Sequence, residues 1–138
     1  MVKIVQRTKA EMIEEFEGTV KDVTVEPSQL EDVEQEQYHI QIEPKDKTIL
    51  KDSKTGMFHE WIRMSPKATD TTVPEGSIAD RYIQEVEMVL SEAKKLENIA
   101  EVFALLKGKS FLFKRKVLGK SYEGKESKPK WIPVKLLE

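Results

Sequence analysis

Apolar and polar positions alternate along QYHIQIEP, with Tyr38, Ile40 and Ile42 set against His39, Gln41 and Glu43. That period of two predicts a strand with one buried face. MFHEWIRM repeats the alternation: Phe58, Ile62 and Met64 point one way, interrupted by Glu60, while Met57, His59, Trp61 and Arg63 point the other. Both faces carry large apolar groups, so the pattern does not say which is buried. Upstream, FEGTVKDVTVEP (residues 16–27) is rich in β-branched residues and stops at Pro27. Its apolar spacing slips by one residue between Val20 and Val23, and with Gly18 this predicts a long bent strand carrying a bulge. KSFLFKRKVLG predicts a fourth strand with Phe111, Phe113 and Val117 on one face. WIPVKLLE predicts a fifth, with Ile132, Val134 and Leu136 on one side and Trp131 and Lys135 on the other. Pro133 cannot donate to a ladder, which puts that strand at an edge or at the end of a pairing.

Between the third and fourth strands the period changes. Ser77 is a helix cap, with Asp80 three residues on, and Ile78, Tyr82, Val86, Val89, Leu90, Ala93 and Leu96 recur at helical spacing. Ile99, Val102, Phe103 and Leu106 continue the series to Gly108, where Lys107 and Lys109 suit the negative end of the helix dipole. One rod of that length would run roughly 40 Å at ~1.5 Å per residue, so a break within 91–98 competes with a continuous helix. At the start of the chain, Thr8 and Glu11 have capping-box spacing, and Met12, Ile13 and Phe16 share one face of a short helix. The expected organisation is a single domain over 1–138, with residues 1–15 as an N-terminal extension.

Composition narrows the class. In 138 residues there is no Cys, which excludes a disulfide framework, thiolate zinc sites and a cysteine nucleophile. No apolar run reaches the roughly 20 residues of a membrane span, and MVKIVQRTKAEM lacks a signal-peptide core, so a soluble cytoplasmic protein is expected. Charged residues make up 35% of the chain. With a single Asn (Asn98) and no Cys, this fits a thermophilic source. The net charge of −2 conceals a split. Residues 11–46 hold 12 acids against Lys21 and Lys45, whereas residues 107–138 hold 10 bases against three acids. That polarity means either a tail facing a polyanion or two ends that attract each other in the fold.

Three strands, a helix and two more strands, the first strand long and bulged, resemble the OB-fold, a five-stranded Greek-key β-barrel with that helix across one end. The resemblance spans about residues 16–137 and extends to archaeal replication protein A-like modules. It implies a mainly β, barrel-like fold that binds single-stranded DNA or RNA. A different small barrel or an α+β sandwich fits the same string of elements.

Candidate chemistry is sparse. His39 and His59 would approach each other if their strands pair, and with Glu60 or Glu43 they would make a minimal metal site. The spacing matches no metal motif, and two surface or partly buried histidines is the simpler reading. There is no G-x-S-x-G, Walker or G-x-G-x-x-G pattern, so no enzyme, metal or cofactor is expected. Aromatics interleaved with bases point instead to base stacking combined with phosphate contacts. The resemblance would bring Trp61, Arg63 and His59 on strand three together with Lys114 and Lys116 on strand four. Lys120, Tyr122, Lys125, Lys128 and Lys130 would join them from the four–five loop, and Trp131 and Lys135 from strand five. Trp61 and Trp131 each fit either core or platform. The competing reading is a protein-interaction or assembly module, docking a partner or a second copy through the acidic half or the helix face of Tyr82, Val86 and Leu90.

Overall fold

The computed structural model describes residues 13–27, 36–50, 53–119 and 128–137. Five strands form one antiparallel sheet: β1 (Glu15–Pro27), β2 (Glu36–Pro44), β3 (Phe58–Arg63), β4 (Ser110–Lys116) and β5 (Lys130–Leu137). Two helices, α1 (Ile78–Val89) and α2 (Ile99–Ala104), lie between β3 and β4 in the chain. Across the sheet the order is β3-β2-β1-β4-β5, not the order along the chain. Among the described residues no ladder joins β3 to β5, so backbone hydrogen bonds leave the sheet open where a closed barrel was expected.

The centre of the sheet is β1, whose 13 residues are long enough to pair with both β2 and β4. The apolar slip read from the sequence is a register shift between Val20 and Asp22, which leaves Lys21 as the extra residue of a bulge. Gly18 makes the bend possible by close approach. A Cβ there would lie 2.9 Å from the Glu43 carbonyl oxygen and 2.9 Å from side-chain atoms of Ile42 and Phe16. Phe16 belongs to this strand and packs in the core, so its predicted place on an N-terminal helix is corrected. The Thr8–Glu11 cap lies outside the described residues.

The period-two residues of β2 and β4 point inward as expected, and on β3 the buried face, left open by the pattern, is that of Phe58 and Ile62. Tyr38, Ile40, Ile42, Phe58, Ile62, Phe111 and Phe113 are all buried. On β5 the simple alternation fails: Trp131 and Ile132 are both buried, whereas Leu136 is 42% exposed. A second register shift, at Leu112/Phe113, brings Pro133 opposite Phe113 and Lys135 opposite Leu112, so Trp131 and Lys135, expected on one side, fall on opposite faces. As Pro133 requires, β5 is an edge strand.

The helical stretch is broken. Ser77 Oγ accepts the Asp80 N–H at 3.2 Å, and the Asp80 carboxylate accepts the Gly76 N–H at 2.8 Å. This closes the start of α1. The helix stops at Leu90 (φ −125°, ψ 89°), a 3₁₀ turn follows over Ser91–Lys95, and Asn98 Oδ1 accepts the Glu101 N–H at 3.2 Å to begin α2. Folding back lets Phe103 stack on Tyr38, with ring centroids 4.2 Å apart, while Tyr82 and Val86 are fully buried. A straight rod would have carried Ile99, Val102 and Phe103 beyond the sheet. The apolar face of Tyr82, Val86 and Leu90 is therefore part of the core and is closed to docking. No described helix is long and apolar enough to cross a membrane.

Charge polarity along the chain becomes contact in space. Lys114 lies 3.7 Å from Glu15, and Lys107 lies 3.4 Å from Asp22, so the basic fourth strand and the turn before it meet the acidic first strand.

Candidate functional site on the outer face of the second and third strands

Register decides which polar side chains share the outer face. His39 on β2 is opposite Thr24 on β1 and Trp61 on β3; Gln37 is opposite Glu26 and Arg63; Gln41 is opposite Asp22 and His59. Glu26, His39, His59 and Trp61 thereby come together. Trp61 is 41% exposed, its ring stacked on His39 at 4.8 Å between centroids and inclined by 15°. The His59 ring lies 5.7 Å from that of Trp61, inclined by 17°.

A continuous chain of polar atoms runs through these rings. The Trp61 indole N–H donates to Glu26 Oε1 at 2.9 Å, and the Gln37 amide donates to the same oxygen at 3.0 Å. Glu26 Oε2 faces His39 Nδ1 at 3.4 Å. His39 Nε2 lies 2.8 Å from His59 Nδ1, and His59 Nε2 lies 3.0 Å from Thr55 Oγ1. Desolvation acts to raise the Glu26 pKa. The hydrogen bonds from Gln37 and Trp61, with the nearby imidazole of His39, outweigh it and hold the carboxyl below its ordinary value. Partial burial, with His39 beside it, lowers the pKa of His59.

The remaining expected residues are placed differently. Trp131 is only 6% exposed, set edge-on to Phe16 at 4.8 Å and to Phe58 at 5.3 Å, with the Arg115 guanidinium 4.6 Å over its ring. It is a core residue, closed to a stacking base, because the β5 register turns it inward opposite Arg115. The Lys130 ammonium donates to the Trp61 carbonyl at 2.8 Å and lies 3.9 Å from Glu60, so it fastens β5 to β3. Lys114 faces Glu15, and Lys116 faces Glu85 at 3.6 Å; neither ammonium is directed to Trp61. Arg63, Lys128 and Lys135 are exposed. Lys120, Tyr122 and Lys125 lie outside the described residues. Neither carboxylate considered for a metal site accompanies the imidazoles. Glu60 is opposite Ile40 on the inner face, and Glu43 pairs with Lys21 at 3.8 Å. Among the described residues, no three His, Asp or Glu side chains gather as metal ligands.

Glu26 escaped the sequence reading because it sits in an acidic run that looks uniformly solvated. Its signal was positional: it is the last residue before Pro27, in step with Thr24 and so on the face that β2 completes with His39. The chain matches no protein-family model and no curated protein.

Proposed function

We propose that this protein is a non-enzymatic module that binds single-stranded nucleic acid with little sequence preference, using an OB-fold-like barrel. The observation carrying the reading is Trp61, a large indole 41% exposed on the outer face of β3, with the exposed Arg63 two residues on and sharing that face. A base can stack on such a ring while the guanidinium meets a phosphate, and each stacked base contributes about 1–3 kcal/mol. The hydrogen bond to Glu26 and the contact with His39 hold the indole in one orientation before any ligand arrives, which reduces the entropy lost on binding.

The barrel reading is supported by contacts between the two edge strands. The β3 residues Glu60 and Trp61 accept hydrogen bonds from Trp131 and Lys130 of β5. In addition, α1 packs on both β5 and β3, as a helix across the barrel end would. In this reading the binding surface is the outer face of β2 and β3 around Trp61 and Arg63.

Fluorescence anisotropy of a labelled oligonucleotide tests the function. Binding should weaken as salt rises, because phosphate contacts release condensed counterions. Trp61→Ala should weaken binding by roughly tenfold or more, the equivalent of one lost stacking contact. No binding at low salt, or binding indifferent to Trp61, overturns the proposal.

A further inference from the structure

We infer that His39 and His59 form a divalent metal site of the nitrogen-preferring class, Zn(II), Cu(II) or Ni(II), held by His39 Nε2 and His59 Nδ1. These atoms face each other at 2.8 Å on neighbouring strands, with rings 5.0 Å apart between centroids. The inference does not depend on nucleic-acid binding.

Tautomers explain why the pair suits a metal. Glu26 Oε2 faces His39 Nδ1, so the ring proton of His39 belongs on Nδ1, and the Nε2 lone pair is directed at His59. Without metal, His59 Nδ1–H donates to that lone pair, while His59 Nε2 accepts from the Thr55 hydroxyl at 3.0 Å. A cation entering between the rings displaces the Nδ1 proton to water. His59 takes a proton from water on Nε2, and the Thr55 oxygen accepts it. The hydroxyl serves either tautomer, so both imidazoles stay neutral and the exchange leaves the proton count unchanged.

Distances favour the same exchange. Metal–nitrogen bonds near 2.05 Å at a tetrahedral angle put the two ligand atoms about 3.3 Å apart, so the nitrogens part by roughly half an ångström while each ring turns by about 35° to direct its lone pair at the ion. The distal nitrogen of each ligand already has an oxygen partner, Glu26 for His39 and Thr55 for His59. This is the outer shell that orients metal-bound imidazoles. Two protein ligands leave the other coordination positions to water or to a further donor. Glu60, on the inner face, is not one of them.

Titration of the full chain with copper(II) sulfate tests this through Trp61, whose ring stacks on His39 and should be quenched by a bound paramagnetic ion. The expected result is saturable quenching at one ion per chain. It should be weakened at least tenfold in both His39→Gln and His59→Gln, with circular dichroism unchanged. Glu26→Gln should weaken it by a smaller factor. A variant-free measurement uses zinc chloride and nitrogen-15 NMR of the imidazoles. Zinc should shift the His39 Nε2 and His59 Nδ1 resonances as a metal-bound pair and leave His39 Nδ1 protonated. Quenching equal in wild type and both histidine variants overturns the site, as does zinc that leaves those two nitrogens unshifted.

Discussion

The Glu60 carboxylate accepts the Trp131 backbone N–H at 2.6 Å, from a position on the inner face of β3 to the edge of β5. It is the acid that interrupts an apolar stripe, and it is buried. Lys130, the residue before Trp131, lies 3.9 Å from its other oxygen. Tyr82 of α1 completes the arrangement by donating its hydroxyl to the Trp131 carbonyl at 3.0 Å. A buried carboxylate would be unfavourable among the surrounding rings, and here it satisfies a backbone donor that no ladder satisfies.

Removing that acceptor should be far worse than neutralising it. Glu60→Ala leaves the Trp131 N–H without its partner and should cost about 1–3 kcal/mol in urea unfolding. Glu60→Gln retains an acceptor oxygen and should stay within about 1 kcal/mol of wild type. Equal losses in the two variants would mean that charge, not the hydrogen bond, holds the two edges together.

Burial raises the Glu60 pKa above the ordinary carboxylate value, outweighing the opposing influence of Lys130, the Trp131 and Trp61 N–H groups and Arg115. The native state therefore keeps this proton to higher pH than the unfolded chain. Its contribution is fully present below the unfolded-state pKa and is lost as pH rises through the native value. Wild type should lose stability relative to Glu60→Gln over that interval and run parallel to it above. Denaturant midpoints measured across the acidic and neutral range check this, and a difference that grows in the opposite direction refutes it.

The two tryptophans should behave as opposites. Trp131→Ala opens a cavity beside Phe16 and Phe58 and should destabilise the fold by about 3–5 kcal/mol. Trp61→Ala, on the outer face, should cost about 1 kcal/mol or less, largely the lost hydrogen bond to Glu26. Acrylamide should quench the emission of a Trp131→Phe variant, which retains Trp61, much more than that of Trp61→Phe.

Gly18 is needed for space rather than for flexibility. A methyl group there would press on the Glu43 carbonyl and on Phe16 at 2.9 Å, so Gly18→Ala should destabilise by about 1–3 kcal/mol. Thermal unfolding of the variant is the measurement, and an unchanged midpoint would show that β1 and β2 can move apart.

The chain order alone identified five strands and the helical stretch, because alternation and helical spacing report which face of each element is apolar. The slip between Val20 and Val23 marked the bulge, and Pro133 marked an edge, since each follows from local backbone geometry. What local pattern could not decide were relationships between distant positions. Trp61 and Trp131 look alike in sequence, yet pairing turned one outward beside His39 and the other inward beneath Arg115. The helix break was open until Phe103 found Tyr38 and Asn98 capped the second helix. Glu26 and Trp61 are 35 positions apart, and Glu60 and Trp131 are 71 apart. Such contacts depend on strand register, and register is set by the packing of all the strands together.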